Sequence, residues 1–302
     1  EFHECIACRS PGYIACAACA PTSPHTASAG AGHTLDPQRL YAPQQVRGET
    51  CAELVVAALD AFASHPFIAS RSTGGWLTYA DIAATARGWT RQLAPHAPAG
   101  KVVLLGDMSP AYVSAMVGTI AAGVVVVPID GALPIETLAA VGAKVAPVAV
   151  LCSADYVAKA EAMNAGTVIV YEEDATDGAS PDDESPGPQL EIPARDRGDL
   201  AALLFTSGST GVPKGAMYTE AMLLPTFVGG TNMWRMIRLD FQAFHPSFIV
   251  SLLALMSCGG SRFLATDPTT LLEDMTLARA THISAPPLLF SLLRKAYDEG
   301  IR

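Results

Sequence analysis

This sequence of 302 residues predicts an α/β fold of layered, mostly parallel sheets flanked by helices. Three observations lead there. From residue 50 onward, short apolar strands alternate with segments whose apolar residues recur at helical spacing. Several of the strands, KVVLL, VVVV and VAVLC among them, are unbroken apolar runs, the pattern of parallel strands covered on both faces. Half of the residues are hydrophobic (50%) and only 16% are charged, which suits a large interior and not a disordered chain. Repeated strand–helix–strand units then give a parallel sheet with helices on both sides.

The elements follow in order. CAELVVAALDAFASH repeats apolar residues at helical spacing, with Thr50 as its N-cap. PFIAS and WLTY flank TGG at residues 73–75 and predict a hairpin. YADIAATARGWTRQLA is an amphipathic helix. KVVLLG is a strand, and SPAYVSAMVGTIAAG a helix opened by Ser109 and Pro110 in cap and first-turn positions. VVVVPI is a strand, LPIETLAAVGAKV a helix after Pro134, APVAVLCS a strand, DYVAKAEAMNAG a helix and TVIVYEE a strand. The acidic, proline-rich residues 172–199 form a solvated surface loop. DLAALLF is a buried strand, with a helix from about Thr219 to Val228. A helix around residues 247–257, the strand SRFLATD, the helix TLLEDMTLARA, the strand THISAPP and the helix LLFSLLRKAYDE complete the sequence. Lys295 and Glu299 on that last helix read as solvated charges.

Composition narrows the function classes. The formal net charge is −10 and no Lys/Arg run exceeds two residues, which argues against a nucleic-acid surface. Residues 108–129 are apolar and long enough to raise the question of a bilayer span. Gly118, Gly123 and Pro128 break that run and its second half is β-branched, so it reads as a buried helix, a glycine turn and a buried strand. No integral membrane segment is expected. Residues 1–48 are rich in Ala, Ser and Pro and are expected to be a disordered, low-complexity leader, with the folded region spanning 49–302. Cys5, Cys8, Cys16 and Cys19 form CIAC and CAAC pairs, which can in principle hold zinc or an iron–sulfur cluster. The cramped loop between the pairs, the low-complexity stretch after them and the lack of an apolar pattern around them favour a disordered leader or a residual targeting sequence instead. Cys51, Cys152 and Cys258 lie in apolar settings and read as reduced core thiols, in keeping with a cytoplasmic chain. The absence of an initial methionine is expected of a fragment.

The chemistry concentrates in LLFTSGSTGVPKGAMYTE at residues 203–220. A strand that ends in a Gly/Ser/Thr-rich turn exposes successive N–H groups at the carboxyl edge of a sheet, where anions bind. Gly208, Gly211 and Gly215 let the backbone approach a ligand and take positive φ. Thr206, Ser207, Ser209 and Thr210 supply hydroxyls, and Lys214 supplies a point charge for phosphate oxygens. The spacing is not that of a Walker loop, because Gly215 and not Ser or Thr follows the lysine.

TSGSTGVPKG resembles the phosphate-loop signature of the adenylate-forming (AMP-binding) superfamily, which includes acyl-CoA synthetases, luciferases, peptide-synthetase adenylation domains and carboxylic acid reductases. WLTYADIAATARGWTRQL, GDMSPAYVSAMVGTIAAGVVVVPIDGALP and THISAPPLLFSLL resemble other segments of the family, so the likeness covers about residues 50–302. GAMYTE, SADYVAKAEA and the turn at Cys258 are similar to the adenylation domain of carboxylic acid reductases. The resemblance implies the truncated N-terminal subdomain of an enzyme that joins a carboxylic acid to ATP as acyl-AMP, releasing pyrophosphate. It implies that residues 206–211 with Lys214 and Gly215 hold the β- and γ-phosphates, that Lys214 and Thr206 serve catalysis, and that His245 lines the acyl pocket. A core or capping role for His245 stays open beside it. Magnesium would bridge the phosphates, its acidic ligand lying past Arg302 together with the ribose and adenine motifs and the mobile lid, so this polypeptide alone would not complete adenylation. The acceptor would be coenzyme A or the phosphopantetheine of a carrier domain, with NADPH only in a reductase. Two alternatives remain: a fatty or aromatic acid–CoA ligase, and a non-catalytic remnant of the fold.

Overall fold

The computed structural model describes residues 2–5, 14–16, 35–36, 46–171, 192–206, 213–224, 235–238, 246–265, 267–280, 282–284 and 287–300. These fall into two units, Glu1–Gln44 and Gln45–Arg302. In the first, where the sequence suggests no regular element, β1 (Phe2–Cys5), β2 (Ile14–Cys16) and β3 (Leu35–Asp36) form a small antiparallel sheet in the order β2-β1-β3.

The second unit begins with α1 (Cys51–Ala61), capped by Thr50, whose hydroxyl accepts from the Glu53 N–H at 3.2 Å. β4 (Pro66–Ser70) and β5 (Trp76–Thr78) form the expected hairpin. Thr78 then opens α2 (Tyr79–Leu93) with a capping box: its hydroxyl accepts from the Asp81 N–H, and the Asp81 carboxylate accepts from the Thr78 N–H at 2.7 Å. After β6 (Lys101–Leu105), Ser109 caps α3 (Pro110–Ala121), with Pro110 in the first turn, where a missing N–H costs nothing. β7 (Val125–Pro128), α4 (Ile135–Val145), β8 (Ala149–Ser153), α5 (Val157–Ala162) and β9 (Val168–Tyr171) continue the alternation. β10 (Leu200–Thr206) and β11 (Lys214–Thr219) are followed by the short α6 (Glu220–Leu223). Then come β12 (Arg235–Arg238), α7 (Pro246–Ser257), β13 (Ser261–Leu264), α8 (Leu271–Ala278), β14 (His282–Ser284) and α9 (Pro287–Gly300).

The strands build two sheets. One is six-stranded, β11-β10-β7-β6-β8-β9, parallel except for β11. The other is five-stranded, β14-β12-β13-β4-β5, parallel except for β5. Side-chain alternation divides the larger sheet cleanly. Val102, Leu104, Val126, Leu151, Ala202 and Leu204 join one apolar cluster with α1, α2, α3, α7 and the inner face of the smaller sheet. Val103, Leu105, Val125, Val127, Val150 and Cys152 face the opposite way, against Leu138, Val141 and Ala160 of α4 and α5. Ala69 and Phe263 on the outer face of the smaller sheet pack with Leu271 and Ala278 of α8. Helices, sheet, helices, sheet and helices are thus stacked around strands buried on both faces, as their apolar runs require.

All twelve residues of α3 are buried. The run that resembles a bilayer span is therefore the central helix and strand of the core, and among the described residues no helix is long and apolar enough to cross a membrane. Gly118 does not break that helix. A Cβ there would lie 2.7 Å from the Ala86 carbonyl oxygen and 2.7 Å from Trp89 Cβ, so the glycine lets α2 and α3 approach. Gly123, at φ 67°, does make the turn before β7.

Candidate functional site

The parallel register fixes where the glycine-rich segment begins. Ala202 of β10 pairs with Val126 of β7, Val126 with Val102 of β6, and Leu105 of β6 with Cys152 of β8. Strands β6 to β10 therefore all end on one rim. Thr206, the last residue of β10, is four positions beyond Ala202, level with Asp130 four positions beyond Val126. The chain returns on β11, whose first residue, Lys214, pairs with Thr206, while Gly215 pairs with Phe205. Lys214 is exposed. A lysine is thus held at the carboxyl rim of a parallel sheet, the edge at which ligands of open α/β sheets bind.

The neighbouring rim turns are tied together by residues that sequence reasoning did not single out. The Tyr156 hydroxyl donates to Asp107 Oδ1 at 2.9 Å, joining the turn after β8 to the turn after β6. Lys159 Nζ donates to the Gly131 carbonyl oxygen, joining α5 to the turn after β7, and stands 5.8 Å from the centre of the Tyr156 ring. Gly131 packs so closely on that ring that a Cβ would fall 2.1 Å from Tyr156 Cε1. Asp130 Oδ1 accepts from the Ala132 N–H at 2.8 Å and closes the turn. Burial pushes the Tyr156 phenol up to about 12, helped by its hydrogen bond to Asp107 and by the charges of Asp107, Asp130 and Asp155. The only sequence signal for these contacts lies in SADYVAKAEA, which carries the family likeness without revealing a contact.

The far end of the β10–β11 pair is held by a buried charge pair. Arg195 Nε lies 2.8 Å from Glu220 Oε1, and both side chains are about 1–2% exposed. Arg195 also donates to the carbonyls of Pro98 at 3.0 Å, Leu200 at 2.7 Å and Gly123. Glu220 Oε2 accepts from the Cys51 N–H at 2.7 Å, in the first turn of α1. Burial, with Glu220 alongside, pushes the Cys51 thiol far up, so Cys51 is an inert core thiol. For Cys152 burial is again the first cause, and the thiol rises to about 11.

Among the predicted site residues, Thr206 and Lys214 are brought together as strand partners. Gly215 does not take the positive φ expected of it. It is an extended residue of β11, and a Cβ there would come within 3.1 Å of Leu203 Cδ1 and 3.3 Å of Phe205 Cζ. The glycine serves packing under the strand. Ser207, Gly208, Ser209, Thr210, Gly211 and His245 lie outside the described residues. The helix expected from Thr219 spans Glu220–Leu223, and residues 225–228 lie outside the described residues. Register places Cys16 opposite Phe2, three strand positions from Cys5, about 10 Å along the strand; Cys8 and Cys19 lie outside the described residues. Among the described residues no three His, Cys, Asp or Glu side chains gather as metal ligands.

A family model described as AMP-binding enzyme matches residues 57–300. The chain belongs to the AMP-binding enzyme family. Among relatives, the L-proline--[L-prolyl-carrier protein] ligase of Streptomyces coelicolor is 29% identical over 194 residues, covering 58% of this chain and 36% of that protein. The D-alanine--D-alanyl carrier protein ligase of Staphylococcus aureus is 30% identical over 251 residues, 79% of this chain and 45% of that protein. A carboxylic acid reductase of Segniliparus rugosus is 32% identical over 127 residues, 36% of this chain and 10% of that protein. The chain thus spans less than half the length of each of these relatives. In fold it is similar to the inhibitor-bound N-terminal domain of FACL13 from Mycobacterium tuberculosis (TM-score 0.67, 18% identity, 81% of this chain and 65% of that one). It is also similar to the A-PCP didomain of the Segniliparus rugosus reductase in complex with AMP (TM-score 0.61, 20% identity, 78% of this chain and 41% of that one). The AMP-binding fold is therefore the α/β architecture expected from the sequence.

Proposed function

We propose that the protein takes part in ATP-dependent activation of a carboxylic acid as acyl-AMP, with the rim at Thr206 and Lys214 holding the polyphosphate of ATP. The observation that carries the reading is the register that sets the two ends of TSGSTGVPKG on the carboxyl rim of the six-stranded sheet. In the reaction a carboxylate oxygen attacks the α-phosphorus, the bond from phosphorus to the bridging oxygen breaks, and pyrophosphate departs with the electron pair. The acid gains a good leaving group. What the protein must supply is juxtaposition of two anions and stabilisation of charge on the leaving pyrophosphate. Lys214 gives a point charge at the rim, and the hydroxyls and main-chain amides between it and Thr206 are the donors the sequence provides.

The carrier-protein ligases among the relatives support a carrier-bound thiol as the acyl acceptor, and the reductases among them a carrier followed by reduction with NADPH. ATP–pyrophosphate exchange with a panel of aromatic, fatty and amino acids tests the activation step. Lys214→Ala should slow exchange about 10²–10³-fold, the effect of deleting one preorganised charge-stabilising donor, with a much smaller change in acid KM. Exchange unchanged by Lys214→Ala would reject the assignment. Offering coenzyme A, a phosphopantetheinyl carrier or carrier plus NADPH then identifies the acceptor.

A further inference from the structure

We propose that Tyr156 and Lys159 are positioning residues for the end of β10 and the start of β11. This rests on the reading of that rim as the ATP site and names residues that set its geometry.

β7 lies beside β10, and counting four positions on from the Ala202–Val126 pair puts Asp130, at the start of the turn after β7, level with Thr206. That turn has few internal ties. Asp130 Oδ1 closes it on the Ala132 N–H, and Leu133 N–H reaches the Asp130 carbonyl at 3.2 Å. Beyond the Ile129 N–H on the Leu104 carbonyl and the packing of Leu133 at its two ends, its middle is held from outside by the Lys159 ammonium on the Gly131 carbonyl and by the Tyr156 ring, which fills the space that a side chain at 131 would need. Tyr156 is fixed in turn by its hydrogen bond to Asp107 in the turn after β6. Three consecutive βα turns are fastened into one rim by two side chains.

Both side chains are half-buried and belong to the periphery of the core, so their loss leaves the packing of β6, β7 and β8 intact. Their effect is local and directional. Releasing the Gly131 carbonyl lets the turn after β7 move, and the residue it would move against is Thr206, strand partner of Lys214. Lys159 and Tyr156 touch neither acid nor nucleotide in this scheme; they act through the turn.

Hydrogen–deuterium exchange on the whole chain, first without nucleotide, tests the coupling. Lys159→Met should speed amide exchange about fivefold or more at residues 130–133 and also at 205–206 and 214–215, with residues 102–104 unchanged and Tm within about 3 °C of wild type. Lys159→Arg, which keeps a donor for the Gly131 carbonyl, should restore the wild-type pattern, and Tyr156→Phe should reproduce part of the loss. Faster exchange confined to 130–133, or faster exchange everywhere with a lowered Tm, would overturn the proposal. The same measurement with ATP addresses the underlying reading separately. Slowed exchange at 205–206 and 214–215 in wild type, needing about fivefold more ATP in Lys159→Met, supports both. No slowing by ATP in wild type would refute the nucleotide reading, while the nucleotide-free data still decide whether the two side chains position these strand ends.

Discussion

Replacing Glu220 with alanine tests the physical account of the β10–β11 pair most directly. Glu220 and Arg195 face each other at 2.8 Å with almost no solvent contact. Truncation leaves the guanidinium buried, still bonded to the carbonyls of Pro98, Gly123 and Leu200, yet without a counter-charge. Removing one partner of a buried ion pair costs about 3–5 kcal/mol. The Cys51 N–H at the start of α1 also loses its acceptor, adding about 1 kcal/mol. Relaxation and the three remaining carbonyl contacts offset part of this, so the expected loss is about 3–5 kcal/mol, a large fraction of the roughly 5–15 kcal/mol that stabilises a typical domain. Urea unfolding followed by far-ultraviolet circular dichroism measures it as a lowered midpoint at unchanged slope. A second variant separates charge burial from lost packing: Arg195→Met with Glu220→Met removes both charges and should recover at least half of the loss. A loss below about 1 kcal/mol for Glu220→Ala, or a double variant no more stable than the single one, would refute the reasoning.

Three further outcomes are expected. Gly259 sits at φ 65° with Phe62 ring atoms 2.6–2.8 Å from where a Cβ would be, so Gly259→Ala should destabilise by about 2–4 kcal/mol in the same assay. The Tyr112 hydroxyl is buried and has no hydrogen-bond partner among the described residues, so Tyr112→Phe should leave stability unchanged or raise it by about 1 kcal/mol, measured by differential scanning calorimetry. Subtracting the ultraviolet titration of Tyr156→Phe from that of wild type should isolate one phenol with a midpoint near 12. Because the folded value lies above the ordinary value of 10, this phenol's contribution to stability is complete below pH 10 and is lost as pH rises toward 12; a midpoint at 10 would contradict the burial and the Asp107 bond.

Much of the fold was legible because burial writes itself locally. Lys101–Leu105 and Val125–Pro128 are apolar runs that only a doubly covered strand explains, and Thr78 and Ser109 mark helix starts by their capping chemistry. β11 was missed because Lys214, Gly215, Ala216 and Met217 are all exposed on an edge strand, so no alternation betrays it. β12, RMIR, was missed because flanking charges hide two apolar residues. Which strands share a sheet was hidden, since β4 pairs with β13 far along the chain. At the rim, the residue types of TSGSTGVPKG and its family resemblance are what led to the proposal of a phosphate loop that includes Lys214. The contacts of Tyr156 with Asp107, of Lys159 with Gly131 and of Glu220 with Arg195 could not be read from the sequence, because each joins residues distant in sequence that no spacing rule relates.

The Arg71 guanidinium reaches the buried carboxylate of Asp274, 203 residues later in the chain. Beside it, β4 waits for β13 as a parallel neighbour. At a synthesis rate of roughly 5–20 residues per second, about 10–40 s separate the emergence of the first strand from that of its partners. During that interval the β4 edge of the hairpin is open. The six-stranded sheet, most of whose strands are adjacent in order, can assemble while the ribosome is still working. The smaller sheet closes later, once β12, β13 and β14 have been made, and the Arg71–Asp274 contact is a latch across that closure.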